Sequence, residues 1–77
     1  MHIKIMGPGC PNCQKVADLV LSSVEETGVE AHLEKVTDFQ EMALAGVLST
    51  PAVVIDGIVK SVGKIPSKDE IISWLNE

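Results

Sequence analysis

The chain has 77 residues, 45% of them hydrophobic and 22% charged, which suits one globular domain spanning 1–77 with a small core and leaves no room for a second. Six lysines, no arginine and eleven acidic residues give a net charge of −5, which argues against nucleic acid and anionic membrane surfaces as partners. No apolar run is long enough for a membrane span, and the start leads into a strand pattern instead of a secretory leader, so the cytoplasm is the expected compartment.

Residues 2–6 alternate, with Ile3 and Ile5 on one face and His2, Lys4 and Met6 on the other, which predicts a first strand. The turn Gly7-Pro8-Gly9 delivers Cys10. From Pro11 to Thr27, Cys13, Val16, Ala17, Val20 and Val24 recur at helical spacing, and Gly28 suits the residue just past the helix end. Asp18, Glu25 and Glu26 fall on the solvated face of this helix.

Val29 to Val36 alternates again, Ala31, Leu33 and Lys35 against His32, Glu34 and Val36, and its charges suit an edge strand. Thr37 or Asp38 opens a second helix, Asp38 with Glu41 forming a capping-box pattern, with Phe39, Met42, Ala43 and Val47 predicted inward and Gly46 closing it. After Ser49-Thr50-Pro51, the apolar run Ala52–Ile55 reads as a strand buried on both faces. Asp56-Gly57 signals a two-residue hairpin, Ile58–Val62 is the returning strand, and Gly63 ends it. Ser67 with Glu70 then caps a last helix whose inward residues are Ile71, Ile72 and Leu75, with Trp74 packing on it. The predicted order is β-α-β-α-β-β-α.

The chemistry concentrates in Cys10-Pro11-Asn12-Cys13. One helical turn separates the cysteines, which brings their Cα atoms within the roughly 4.4–6.8 Å that a disulfide requires. With Cys10 as N-cap and Pro11 as first helical residue, the amides of Asn12 and Cys13 point at the Cys10 sulfur and favour its thiolate. Lowering a thiol pKa from about 8.5 to about 7 raises the thiolate fraction ~16-fold while removing ~6-fold in nucleophilicity, a net gain of about threefold. The same stabilisation makes Cys10 a better leaving group, so the pair gains at both ends of an exchange cycle. As a staple the pair is weak: a four-residue loop contributes only about 2 kcal/mol by chain entropy, against about 3 kcal/mol for fifteen residues. In a reducing compartment two such thiols fit a transient disulfide better than a permanent one.

Four features in this order, namely Cys10-Pro11-Asn12-Cys13 after the first strand, Thr50-Pro51 before the third, the Asp56-Gly57 hairpin and Gly63 after the fourth, identify the chain as resembling the thioredoxin-fold superfamily. The resemblance is to small archaeal and bacterial glutaredoxin-like and thioredoxin-like proteins and covers nearly the whole chain. It implies an α/β minimal thioredoxin-like fold, a four-stranded mixed sheet flanked by three helices. It also implies a dithiol-disulfide oxidoreductase in which Cys10 attacks a substrate disulfide and Cys13 resolves the mixed disulfide. Pro51 is then a cis proline beside the active disulfide, Thr50 offers its backbone to an extended substrate segment, and Gly63 lies at the same site. The implied partners are protein disulfides and either a thioredoxin-reductase-like protein or glutathione, with the chain acting as a monomer.

The chain departs from that family in several places. Gly9 replaces the tryptophan before the first cysteine in typical thioredoxins, and the buried acid that serves as their proton acceptor has no match. Pro11-Asn12 stands where glutaredoxins carry a tyrosine, and Val62-Gly63-Lys64 replaces the glycine pair and acid that help hold glutathione. Lys64 falls near the site by the same resemblance, though a solvated surface lysine is its simpler reading. His2 and His32 lie in different strands, off any ligand spacing to the cysteines, so neither a four-ligand zinc site nor another cofactor is expected. The competing function is a soft-metal carrier holding Cu(I) between the two thiolates. Such carriers run β-α-β-β-α-β, which the helix predicted over 38–46 and the C-terminal helix contradict.

Overall fold

The computed structural model describes residues 1–9 and 11–76. Its elements are β1 (His2–Met6), α1 (Pro11–Thr27), β2 (His32–Val36), α2 (Phe39–Leu44), β3 (Ala52–Ile55), β4 (Ile58–Val62) and α3 (Lys68–Leu75). The sheet order is β2-β1-β3-β4, with β1 parallel to β2, antiparallel to β3, and β3 antiparallel to β4. This is the four-stranded mixed sheet and three-helix α/β fold that the sequence implies. No helix among the described residues is long and apolar enough to cross a membrane.

The alternation in β1 sorts the molecule into two cores. Ile3 and Ile5 pair with Ile55 and Val53 and face α1 and α3, where Val16, Ala17, Val20, Ile71 and Leu75 complete one buried cluster. On the opposite face Met6 pairs with Ala52, and together with Val36, Val54, Met42 and Val47 they form the second. With both faces of β3 covered, all four of its residues are buried. The six residues of α2 cover only one end of their face. At the other end lie His2, Lys4, His32 and Glu34, where His2 Nε2 is 3.0 Å from Glu34 Oε1 and the two imidazoles stack at a tilt, 5.2 Å apart.

Local chemistry sets the ends. Gly28, at φ 71°, donates to the Val24 carbonyl and closes α1. Ser67 and Glu70 make the reciprocal capping box of α3. Asp56 and Gly57 both have positive φ, 50° and 83°, as a type I′ hairpin turn requires. One extra residue, Lys60, is accommodated in β4 between the pairs Val54–Val59 and Val53–Ser61, a bulge on the sheet's edge strand.

Several expectations are corrected. The second strand starts at His32, not Val29, because its ladder begins where His2 faces His32; Val29 and Ala31 instead pack against the first core. Phe39 and Ala43 are exposed, since α2 is too short to bury more than Met42. Ile72 is half-buried beside the fully buried Ile71. Ser23 is fully buried, which its residue type did not suggest: its hydroxyl donates to the Leu19 carbonyl at 2.7 Å and so is satisfied within the helix. The Asp38 carboxylate caps α2 by accepting from the Gln40 amide at 2.9 Å.

Ile71 is 0% exposed and joins α3 to the first core. Ile71→Ala is expected to destabilise the protein by about 2–5 kcal/mol, read as a lower midpoint in urea with an unchanged slope.

Candidate active site

Both segments of the site lie at the end of the sheet where β1 finishes. The Gly7 amide donates to the Val36 carbonyl at 2.9 Å, extending the β1–β2 ladder one residue past Met6, and the chain then turns into α1. Cys13, in the first turn of α1, is 4% exposed. Its sulfur packs directly under Gly7. A Cβ on Gly7 would overlap Cys13 Sγ and lie 3.2 Å from Cys13 Cβ and 3.6 Å from Thr50 Cβ. Gly7 is thus the point where the cysteine turn and the loop before β3 touch.

Thr50 is half-buried, Pro51 is buried, and the peptide bond between them is cis. Gly63 is tied to this loop, its amide donating to the Pro51 carbonyl at 2.8 Å. At φ 73°, and with Ser49 Cβ only 3.0 Å from where a Cβ would stand, position 63 has two reasons to be glycine. Of the sequence-predicted site residues, Cys13 and Thr50 meet at Gly7, and Pro51 and Gly63 are joined by a hydrogen bond. Cys10 lies outside the described residues, so its part is read from the sequence. Lys64 is exposed, with Nζ 3.7 Å from Glu70 Oε2.

A cavity of about 40 Å³ adjoins Cys13, lined by Ile5, Gly7, Gly9, Cys13, Gln14, Ala17, Lys35 and Thr37. None of these described lining residues is a carboxylate, in keeping with the missing buried acid. Gln14, Lys35 and Thr37 were not singled out in the sequence. The available signal was Lys35 itself, a charged residue in phase with Ala31 and Leu33 on the apolar face of its strand.

The sheet order and the cysteine turn set against a cis-proline loop put the protein among the thioredoxin-fold thiol-disulfide oxidoreductases. The comparisons with known proteins narrow this. A family model described as a thioredoxin domain matches residues 1–76, and the chain belongs to that family. A thioredoxin of Methanothermobacter thermautotrophicus is 37% identical over 71 residues, covering 92% of each chain. A thioredoxin of Methanocaldococcus jannaschii is 45% identical over 69 residues, 90% of this chain and 79% of its own length. A probable thioredoxin of Methanothermobacter thermautotrophicus is 30% identical over 73 residues, covering 91% and 85%.

Gly7→Ala forces a methyl group onto the Cys13 sulfur and should lower stability by about 1–3 kcal/mol, with Cys13 alkylated faster in the native state because the turn is pushed off it. Thermal melts and timed alkylation with mass spectrometry check both effects.

Proposed function

We propose that the protein reduces protein disulfides through Cys10-Pro11-Asn12-Cys13, with Cys10 as the attacking thiolate and Cys13 as the resolving thiol. The observation that carries this reading is the burial of Cys13 beneath Gly7 and beside Thr50. A resolving cysteine needs protection from outside disulfides, which burial in the first turn of α1 provides, and a short reach to its partner, which the three-residue spacing in the sequence supplies. An extended substrate segment runs along the loop before β3, pairing with the backbone of Thr50 and packing on Pro51. Gly63 contributes by holding the Pro51 carbonyl in place.

The cycle balances as two exchanges. The Cys10 thiolate forms a bond to one substrate sulfur and the other leaves as a thiolate. Cys13 then forms the Cys10–Cys13 bond, the mixed disulfide breaks, and the second substrate sulfur departs, leaving the substrate reduced and the protein oxidised by two electrons. A dithiol reductase of the thioredoxin-reductase kind restores the pair. That choice is favoured over glutathione by Val62-Gly63-Lys64, which lacks the acid used to grip the tripeptide in the glutaredoxin-like pattern, and by the Gly63 amide being engaged with Pro51. The setting is the cytoplasm, and the working unit one chain.

A redox titration in dithiothreitol and glutathione buffers, counting free thiols by alkylation, should show one reversible two-electron transition between about −200 and −300 mV. A pair that never oxidises, or links only between chains, would move the soft-metal carrier ahead. Cys10→Ser should abolish disulfide reduction, whereas Cys13→Ser should accumulate a mixed disulfide visible by non-reducing mass spectrometry. Equal activity of the two variants would reject the assigned roles.

A further inference from the structure

We propose that His2 and His32 form a metal site, a two-imidazole chelate for a divalent cation of the zinc class, at the end of β1 away from the cysteines. The two histidines are far apart in the sequence, but the parallel β1–β2 register sets them side by side on the face that α2 leaves open. Both backbones are pinned there. The His2 amide donates to Asp56 Oδ1 at 2.8 Å, and the His32 amide donates to the Met1 carbonyl at 2.8 Å. The ring centroids are 5.2 Å apart, with the planes tilted by 57°. Two imidazoles on one tetrahedral ion, with metal–nitrogen bonds of about 2.0–2.1 Å, have centroids about 5 Å apart, so the pair already stands at a chelating separation.

Glu34 prepares one of the rings. His2 Nε2 lies 3.0 Å from Glu34 Oε1, and an ionised carboxylate only accepts, so Nε2 carries the proton of the neutral ring. The lone pair is then on Nδ1, available to an ion, and the carboxylate behind Nε2 raises the basicity of the ring, as outer-shell carboxylates do for metal-bound histidines. Three or more His, Cys, Asp or Glu side chains do not converge on one point among the described residues, so water completes the coordination. The half-exposed His2 and Glu34 side chains, at 44% and 43%, leave that approach open. Lys4 is level with Glu34 in the same register, so the neighbouring charges offset each other and the nitrogen donors select the ion.

A site with two protein ligands is exchangeable, loading and emptying with the free ion concentration. A bound ion ties β1 to β2 where both strands begin, roughly 16 Å of strand from the cysteine turn by the usual rise per residue. The rings are neighbours only in the folded chain, so the ion binds that state and stabilises it progressively as its concentration passes the dissociation constant. The site is independent of the roles assigned to Cys10 and Cys13.

The test uses the full chain carrying Cys10→Ser and Cys13→Ser, which removes thiolate binding of the same ion. Zinc chloride titrated by isothermal calorimetry should give a saturable one-to-one isotherm, and the ring resonances of His2 and His32 should shift together in NMR spectra. Magnesium at the same concentrations should do neither, because it takes oxygen ligands. His2→Gln and His32→Gln should each weaken zinc binding about tenfold or more and abolish the zinc-induced rise in melting temperature, with their melting temperatures in the absence of zinc near the parent's. His32 is exposed, so His32→Gln keeps the test intact if His2→Gln melts early. Glu34→Gln should weaken binding about tenfold with both rings still shifting. Unchanged zinc affinity in His32→Gln, a magnesium response equal to that of zinc, or a titration that never saturates overturns the proposal.

Discussion

Everything in this small protein is referred to β1, which pairs with a parallel strand on one side and an antiparallel strand on the other while each of its faces feeds a different core. A five-residue strand in that position has little freedom. Its register fixes where β2 and β3 lie, and its last residue fixes where the chain must turn. Because the sheet reaches only as far as Met6 and Gly7, the turn into α1 and the loop entering β3 are brought to one edge without any long-range contact made for the purpose. The site is a product of the sheet's dimensions.

At that edge the packing is set by what is missing. Gly7 has no side chain, and the volume a Cβ would occupy holds the Cys13 sulfur and abuts Thr50. Gly63 plays a parallel part on the other side of the loop, where Ser49 fills the corresponding space. Two glycines therefore let backbone segments approach closely, bringing the Cys13 sulfur and Thr50 together at Gly7 and the Ser49–Pro51 loop against Gly63. No acid among the described residues lines the cavity behind the cysteine; Gln14, Lys35 and Thr37 supply its polar lining.

Much of this was legible in the sequence. Alternation in residues 2–6, the 3.6-residue period from Pro11 to Thr27, the apolar run Ala52–Ile55 and the Asp56-Gly57 turn each act through local sterics or one-sided burial, and each reappears with the same bounds or within a residue of them. What was hidden depends on neighbours distant in sequence. Phe39 looked inward because a six-residue helix offers too few turns for a phase to be fixed, and only the position of Met42 over Met6, Val36 and Val54 decides it. Gly7 read only as part of the turn that delivers Cys10, because nothing local says that a sulfur six residues later needs its missing Cβ. Lys35 read as an edge charge until its register with Ile5 turned it toward the helix.

The bulge at Lys60 bears on how the protein behaves in a crowded solution. β4 is an edge, and Ile58, Val59 and Val62 leave considerable apolar surface exposed along it, the combination that invites one sheet to add to another. An extra residue at the centre of such a strand breaks the even spacing of its outward amides and carbonyls and raises its twist, and the residue inserted is a lysine. A second copy approaching this edge meets a ladder out of step with its own and a like charge at the misfit. An irregularity of one residue at the centre of an edge strand is the kind of feature by which sheets discourage edge-to-edge addition.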